Sequence, residues 1–487
     1  MIRRAMGTAV LIIFGVICAG VIGEVGVRIA NHFFPYFYCY DAARGWGLRP
    51  NTTGYYRREG ASYVEINSGG FRGPEFARPK PPGTVRIAVL GDSYTQAIQV
   101  PYEDTFASVA ARQLAQCPLL KGRRVEALNF GVDGYGTTQE LVTLRQQVWA
   151  YQPDIVVLAI FLGNDVRNNS VSLEGNLCRP FYVDRDGKLT PAGPFEGSNS
   201  FRLWCMARFD YRKAGMLSLL SEAWTILSTR NQQPTAELPV EAAINYDIYK
   251  PPAEPAWRDA WQITNDLIEE TRRETARHGA AFLTVTLDTS IQVWPDPQVR
   301  ENFMKRIGVS DLFYPDRRIA ALGERDGFDV LTLAEPLYQY AQAHHAFLHG
   351  FANSKMGFGH WNTEGHRVAG ELIGERLCAM LKAGKCASCA AGPAADAARA
   401  RRRPARCLYP PHSGRMMRNR EQPTSTVRGQ AGSHDDRCDN GRRQPLDRHG
   451  ARVRAVWRRQ RRRANRSGSR RATRNRRSRS RAGRRYT

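Results

Sequence analysis

Residues 85–97 read V85-R-I-A-V-L-G-D-S-Y-T-Q-A97, passing from a short apolar run through a tight turn into residues that favour a helix. Such a run, bounded by turn residues, is typical of a buried strand in a parallel sheet. Ser93 stands at the junction of strand and helix. It can cap the helix, because a serine oxygen accepts a hydrogen bond from an unpaired backbone N–H group. It can also be a reactive group, so the rest of the chain must decide its role.

The same alternation of strand and helix continues along the chain. Strands are predicted at 86–90, 125–130, 154–161, 281–286 and 328–333, and helices at 105–117, 138–151, 256–278 and 363–381, the last capped by Asn362 or Thr363. This rhythm predicts an α/β fold, a three-layer αβα sandwich with a five-stranded parallel sheet. Residues 166–255 interrupt the rhythm and are predicted to be an insertion over the carboxyl edge of the sheet, where ligands of open α/β sheets bind.

The net charge of +25 is concentrated at one end of the chain. Residues 387–487 contain 30 arginines, no lysine and six acidic residues, so residues 1–386 carry only +1. A segment this charged and this poor in apolar residues is predicted to be disordered. The arginines can bind anionic polymers, but the abrupt loss of lysine favours a GC-rich gene translated in a shifted frame, and no nucleic-acid partner is expected.

The N-terminus predicts a membrane helix. An uncharged run of 19 residues, 5–23, follows Arg3-Arg4 and nearly matches the thickness of a bilayer core. The two arginines predict a cytoplasmic N-terminus and an exported remainder. We therefore expect residues 1–28 to form a cytoplasmic stub and signal anchor in a bacterial inner membrane, with the catalytic domain in the periplasm or outside. A cleaved signal peptide is the alternative.

Ten cysteines fit an exported protein, because envelope compartments permit disulfides. Cys178 and Cys205 lie in one polar segment, which a disulfide between them could cross-link. Cys117 and Cys378 fall in predicted core helices. Their pairing cannot be deduced from sequence alone. The spacing of the cysteines does not match a zinc site, so neither a metal nor a cofactor is expected.

Three more polar motifs follow predicted strands or precede the last helix: N129-F-G-V-D-G-Y-G-T137, F161-L-G-N-D165 and G359-H-W-N-T-E-G-H366. Together with G91-D-S-Y94, in this order, they resemble the four blocks of the SGNH hydrolase superfamily, also called GDSL esterases and lipases. The resemblance covers about residues 60–382 and is to the membrane-anchored envelope type found in bacteria. It implies a flavodoxin-like SGNH fold at 81–386, after a lead-in segment at 29–80.

The resemblance also implies roles for four residues. Ser93 matches the family nucleophile and His360 its base, while Ser93, Gly134 and Asn164 match the oxyanion hole. A serine hydroxyl needs such a base, and the oxyanion that forms needs donors already aimed at it. His366 competes with His360 for the role of base, but His360 lies on the loop and is preferred.

One departure concerns the acid that orients the base. The family places an aspartate three residues before the histidine, where this chain has Gly357, followed by Phe358. Either a backbone carbonyl holds the ring, leaving a dyad, or an acid comes from elsewhere, with Asp288 as a weak candidate. Asp92 and Asp165 are expected to brace their turns.

These features predict an envelope serine esterase that removes O-acyl groups from a glycan or lipid through an acyl-enzyme at Ser93. An exopolysaccharide O-acetyltransferase needs the same residues and is the first alternative; a non-catalytic carbohydrate-binding module is the second. The insertion is expected to determine which substrate is bound. Its aromatic side chains can stack on sugar rings or fill a small core: Phe181, Tyr182, Phe201, Trp204 and Trp224. For Trp204 and Trp224 the core is preferred.

Overall fold

The computed structural model describes residues 2–30, 37–210 and 244–390. The helices in these residues are α1 Ile2–Ala30, α2 Ser93–Gln96, α3 Phe106–Ala115, α4 Thr137–Gln146, α5 Asp165–Asn168, α6 Pro194–Gly197, α7 Asn199–Asp210, α8 Pro255–Arg277, α9 Pro297–Ile307, α10 Tyr314–Asp326, α11 Ala334–His344, α12 Thr363–Lys382 and α13 Ala387–Ala390. The strands are β1 Tyr38–Asp41, β2 Gly45–Leu48, β3 Thr52–Tyr56, β4 Ser62–Ile66, β5 Thr84–Leu90, β6 Arg124–Asn129, β7 Ile155–Phe161, β8 Phe181–Arg185, β9 Lys188–Ala192, β10 Ala281–Leu287 and β11 Asp329–Thr332. The tail from residue 391 onward, for which disorder was predicted, and Trp224 lie outside the described residues.

A five-stranded parallel sheet forms the centre of the fold, in the order β11-β10-β7-β5-β6. Every residue of β5, β7 and β10 is buried, which explains their uninterrupted apolar runs. The five predicted strands are confirmed, with ends that differ by no more than two residues. Numbered along the chain, the order is 2-1-3-4-5, the flavodoxin-like arrangement.

Helices cover both faces of this sheet, so the predicted αβα sandwich is confirmed. One apolar core lies between the sheet and the pair α3 and α12, and a second lies between the sheet and α4, α8 and α10. The side chain of Asn362 accepts hydrogen bonds from the N–H groups of Glu364 and Gly365, so Asn362 is the cap of α12. The sequence did not predict α9, α10 and α11, which fill the path between and after the last two strands.

Two β-hairpins precede the sheet. The strands β1 and β2 form the first, and β3 and β4 the second, both antiparallel. An isolated bridge joins Ile66 to Arg72, and another joins Arg72 to Asn129 at the end of β6. The lead-in segment is therefore packed against the sheet and its loops, as β structure with turns.

The insertion contributes a third hairpin, β8 with β9, followed by α6 and α7. Tyr182 and Leu189 of this hairpin pack with the core beneath α8. A disulfide between Cys178 and Cys205 ties the start of the insertion to α7. Part of the insertion, residues 211–243, lies outside the described residues.

Two further disulfides join distant or terminal parts of the fold. One links Cys117, just after α3, to Cys378 in α12. The other links Cys386 to Cys389, both of them buried. The packed fold therefore continues into α13, beyond the boundary expected at residue 386.

The first helix differs from the rest in composition and exposure. Within α1, Met6–Gly26 has a mean hydropathy of 2.4 and none of it is buried. Its length and composition allow it to span a membrane, and a signal sequence has the same properties.

Candidate active site

The four sequence motifs meet at the carboxyl edge of the sheet. Ser93 begins α2 just after β5, and Gly134 lies in the loop after β6. Asn164 follows β7, and His360 lies just before α12. β5 and β7 are neighbours in the sheet although β6 separates them in the chain. This is the topological switch point, where open α/β sheets bind ligands.

Asp92 caps the short helix α2. Its Oδ1 accepts a hydrogen bond of 2.9 Å from the N–H group of Tyr94. Because Asp92 occupies the N-cap position, the interpretation of Ser93 as the cap is wrong. Ser93 is instead the first residue of the helix, and its hydroxyl takes part in a different contact.

That contact is a chain of three side chains. Ser93 Oγ lies 2.9 Å from His360 Nε2, and His360 Nδ1 lies 2.6 Å from Glu59 Oε2. Glu59 Oε1 also accepts a hydrogen bond of 2.7 Å from the backbone N–H of His360. Because an ionised carboxylate only accepts hydrogen bonds, Nδ1 must carry the ring proton. Nε2 then presents its lone pair to the serine hydroxyl, which is the geometry of a serine–histidine–acid triad.

The charges of this chain favour an ionised acid. Burial alone would raise the pKa of Glu59, but the hydrogen bonds and charge of His360 outweigh it and lower that pKa. Burial alone would lower the pKa of His360, but Glu59, and more weakly Asp133 and Asp92, outweigh it and raise that pKa above its ordinary value. An imidazolium formed at His360 is therefore stabilised by the groups around it.

Glu59 reaches the site from the turn of the β3–β4 hairpin. The hairpin is held in place by Asn353, whose Oδ1 accepts from the N–H of Gly60 at 2.9 Å and whose Nδ2 donates to the Gly60 carbonyl at 2.8 Å. A Cβ on Gly359 would lie 2.1 Å from Glu59 Oε1. The carboxylate therefore occupies space that only a glycine at position 359 leaves open.

Asp288 does not orient His360, so the expectation for this residue is corrected. Its Oδ2 lies 2.8 Å from His349 Nε2, and its Oδ1 accepts a hydrogen bond of 3.1 Å from the indole of Trp361. The physical reason is position: Asp288 follows β10 and is fully buried beneath the loop that carries His360. His349 Nδ1 lies 2.7 Å from the carbonyl of Gly359, so Asp288 braces the residue before the base.

Gly357, which stands where the family has its aspartate, cannot be replaced by a larger residue in this backbone. Its φ is +81°, and a Cβ there would lie 2.7 Å from the ring of Trp294 and 2.9 Å from that of Phe347. A left-handed conformation and this crowding both require glycine. The acid must therefore come from another segment, and Glu59 is the carboxylate found at Nδ1.

His366 is a buried structural residue. It is 1% exposed, and its Nδ1 accepts a hydrogen bond of 3.3 Å from the N–H of Phe106. Burial lowers its pKa to about 3, so it stays neutral. It has no contact with Ser93, which agrees with the preference for His360.

The groups expected in the oxyanion hole follow three neighbouring strands of the sheet, β6, β5 and β7. Within the described residues, the backbone N–H groups of Ser93 and Gly134 donate no hydrogen bond. A Cβ on Gly134 would meet only Trp46, at 3.6 Å, so one side of this glycine is otherwise open. Asn164 Nδ2 lies 3.5 Å from Asp92 Oδ2, a long contact that leaves this amide available as a donor.

Three buried carboxyl groups lie behind the serine. Burial raises the pKa of Asp92 to about 6, and it raises the pKa values of Glu140 and Asp165 as well, each of which is also affected by the charge of Asp92. Asp165 Oδ2 accepts a hydrogen bond of 2.9 Å from the N–H of Phe161, and so it braces its turn. Within the described residues, no group of three His, Cys, Asp or Glu could hold a metal ion.

The insertion aromatics do not form one surface. Phe181 is fully buried, and Tyr182 and Phe201 are partly buried. Trp204 is 52% exposed, so the expectation that it fills a core is wrong. It packs at the surface of α7, with ring centroids 5.4 Å from Phe201 and with Arg208 above it.

The chain is similar in fold to several solved structures. The alignment with an acetyl xylan esterase covers 60% of this chain and 100% of the esterase chain, with 12% identity and a TM-score of 0.31. The alignment with a lipolytic protein of the G-D-S-L family from Veillonella parvula covers 60% of this chain and 97% of the other, with 13% identity and a TM-score of 0.29. The alignment with a catalytic mutant of an acetylxylan esterase from Geobacillus stearothermophilus covers 60% of this chain and 94% of the other, with 11% identity and a TM-score of 0.31. No family model and no curated protein matches the chain.

The four motifs that resemble the SGNH blocks are brought to one edge of the sheet. The residue that sequence reasoning missed is Glu59. The glycine at position 357 indicates that either a backbone carbonyl or an acid from another segment orients the histidine, and nothing in residues 57–60 marks Glu59 as that acid.

Proposed function

We propose that the protein is a serine esterase that cleaves O-acyl groups through a covalent acyl-enzyme at Ser93. The observation that carries the proposal is the continuous chain from Ser93 Oγ through His360 to Glu59, with contacts of 2.9 Å and 2.6 Å. Each atom in it has the donor or acceptor role that proton removal from a serine requires.

In the first half of the reaction, His360 Nε2 takes the serine proton while Ser93 Oγ bonds to the ester carbonyl carbon. The carbonyl oxygen becomes an oxyanion, which accepts hydrogen bonds from the amides of Ser93 and Gly134 and from the side chain of Asn164. The resulting imidazolium is stabilised by Glu59. When the oxyanion collapses, the bond to the alcohol oxygen breaks, and His360 returns the proton to that oxygen.

In the second half, water attacks the acyl carbon while His360 Nε2 takes its proton. When this second oxyanion collapses, the bond between the acyl carbon and Ser93 Oγ breaks, His360 returns the proton to Oγ, and the carboxylic acid leaves. If a sugar hydroxyl attacks in place of water, the same groups perform O-acetyl transfer. A non-catalytic binding module has no need of an aligned triad, and the three contacts argue against that alternative.

We further propose that the enzyme acts in the bacterial envelope, on a glycan or lipid ester, and that α1 anchors it in the inner membrane. The apolar length of α1 supports an anchor or a signal sequence. The disulfides Cys117–Cys378, Cys178–Cys205 and Cys386–Cys389 support an oxidising compartment.

Labelling by a fluorophosphonate probe tests the nucleophile directly. The full chain should be labelled once at the active serine and should hydrolyse p-nitrophenyl acetate, whereas Ser93→Ala should do neither while keeping its melting temperature. Ser172→Ala is the matched control, since this serine lies outside the triad and its hydroxyl is within hydrogen-bond distance of that of Ser170. Labelling that persists in Ser93→Ala would refute the proposal. Analysis of products with a sugar acceptor present separates hydrolysis from transfer.

A further inference from the structure

Arg179 is a buried cation that makes no ion pair with another described residue. It is 4% exposed, and within the described residues its Nε and Nη1 have no hydrogen-bond partner. Two other buried arginines have polar partners: Arg86 binds Glu126 at 2.7 Å, and Arg72 donates to backbone carbonyls of the loop after α2. A third, Arg300, packs over the ring of Tyr338. Because an unpaired buried charge is unfavourable, Arg179 is not accounted for by the packing of the fold.

Arg179 lies one aromatic ring away from the oxyanion loop. Its guanidinium carbon is 5.0 Å from the ring centroid of Trp46. The indole N–H of Trp46 donates to the carbonyl of Asp133 at 3.0 Å, and the edge of the same ring faces Gly134. The cation is thus fixed beside the loop that supplies one of the proposed oxyanion donors.

The side chain of Asp133 is affected by the charges of both this cation and the triad. Burial of the carboxyl group raises the pKa of Asp133, and the positive charges of His360 and Arg179 oppose that rise. The charges of both residues therefore act on the loop that carries Gly134.

We propose that Arg179 binds a carboxylate on the substrate, so that the enzyme favours esters whose acyl group or sugar unit carries an acid. The inference rests on the proposed esterase function. A guanidinium presents two parallel N–H groups that match the two oxygens of a carboxylate. Glu174 and Asp133 act on Arg179 from a distance and disfavour any added anion, but they disfavour a doubly charged phosphate more than a singly charged carboxylate.

The two possible positions of the carboxylate are tested in separate arms. The first compares p-nitrophenyl acetate with the mono-p-nitrophenyl ester of succinic acid, after subtraction of the uncatalysed rate. The second compares an O-acetylated polyuronate with an O-acetylated neutral glycan. We expect a higher kcat/KM for the carboxylated substrate in one arm, and that arm identifies the source of the acid.

Arg179→Met keeps the length and the apolar contact with Trp46 but removes the charge. The ratio of kcat/KM for the carboxylated and neutral substrates should fall about 10- to 100-fold, as expected for one hydrogen-bonded charge pair. Arg300→Met is the matched control, because Arg300 is also buried and lies 3.5 Å from the ring centroid of Tyr338, and the ratio should not change.

Inhibition of the unaltered full chain by small carboxylates provides a second test, which is independent of whether the Arg179→Met variant folds. Glucuronate or succinate should inhibit hydrolysis of p-nitrophenyl acetate competitively and more strongly than glucose or succinamide. Equal ratios in Arg179→Met and the parent, or no preference for either acid, overturn the inference. If fluorophosphonate labelling of Ser93 persists in that case, only the role of Arg179 fails and the esterase proposal stands.

Discussion

Replacement of Glu59 by glutamine tests the least expected part of the site. The amide has the volume of the carboxylate but only one acceptor atom, whereas His360 directs two donors at Glu59, at 2.6 Å and 2.7 Å. In Glu59→Gln, one of these hydrogen bonds must be lost, and the other changes from a charged to a neutral bond.

The magnitude follows from these two contacts. Loss of a charged hydrogen bond costs about 1.5–3 kcal/mol, and a neutral bond is roughly half as strong as a charged one. The transition state, in which His360 is an imidazolium, should therefore lose about 2–4.5 kcal/mol of stabilisation. That corresponds to a fall in kcat of roughly 50- to 2000-fold.

The pH profile distinguishes this effect from a loss of fold. His360 acts as a base only when neutral, so activity should rise with pH through its pKa, which Glu59 holds above the ordinary value. Glu59→Gln should move this acid limb to lower pH.

The same two pKa shifts affect the stability of the fold. The raised pKa of His360 stabilises the folded protein fully at pH values below the ordinary pKa of histidine, and this stabilisation disappears as pH rises through the raised pKa. The lowered pKa of Glu59 stabilises the folded protein fully at pH values above the ordinary pKa of glutamate, and this stabilisation disappears as pH falls through the lowered pKa.

The assay is initial-rate hydrolysis of p-nitrophenyl acetate across pH, with melting temperature measured on the same samples. Glu65→Gln is the matched control, because Glu65 is an exposed residue on strand β4 of the same hairpin. Parental kcat and an unshifted acid limb in a folded Glu59→Gln protein would show that Glu59 has no part in the reaction.

Three further predictions follow from the geometry. Gly359→Ala should lower kcat at least 10-fold, because the added Cβ displaces the carboxylate of Glu59. Gly308→Ala is the control and should keep the parental rate, because Gly308 has a similar positive φ but open space around it. Equal rates in the two variants would contradict this prediction. Asn164→Ala should lower kcat by roughly 10²- to 10³-fold, the cost of one oxyanion donor, with little change in melting temperature. A chain that ends at Ala390 should have the melting temperature of the full chain. A chain that ends at Ala387 lacks Cys389, cannot form the buried Cys386–Cys389 disulfide and should have a lower melting temperature. Identical melting curves for all three proteins would exclude a structural role for that disulfide.

The sequence was sufficient for the sheet because the signals for a buried parallel strand are local. Residues such as 155–161 are apolar throughout, and the turn residues after them set the ends to within two positions. The helices α9 and α10 were missed although both have proline at their start, at Pro297 and Pro315. Their apolar positions are sparse, and the buried contacts that stabilise them come from other elements, which no local pattern records.

The choice of His360 over His366 as the proposed base was possible for a similar reason. His360 precedes Asn362, whose cap of α12 fixes the loop, whereas His366 falls inside the helix and faces Phe106. The position of a residue relative to a helix boundary can be predicted from the sequence, because cap residues such as Asn362 mark the boundary. The partner of the side chain is local in neither case, since Ser93 is 267 residues away from His360 and Phe106 is 260 residues away from His366. The resemblance to the SGNH blocks supplied that pairing, and the contacts of this chain supply its geometry.

The acid could not be predicted, because no local pattern specifies it. Glu59 is 301 residues from His360, and its place depends on the docking of the β3–β4 hairpin through Gly60 and Asn353. The position of the usual aspartate is closed by the left-handed backbone at Gly357. The lead-in hairpin is thus part of the candidate active site rather than a spacer before it. An αβα domain cut at residue 81 would keep Ser93 and His360 but lose the carboxylate that sets the tautomer and charge of the base, so the smallest unit that holds the whole triad begins before β3.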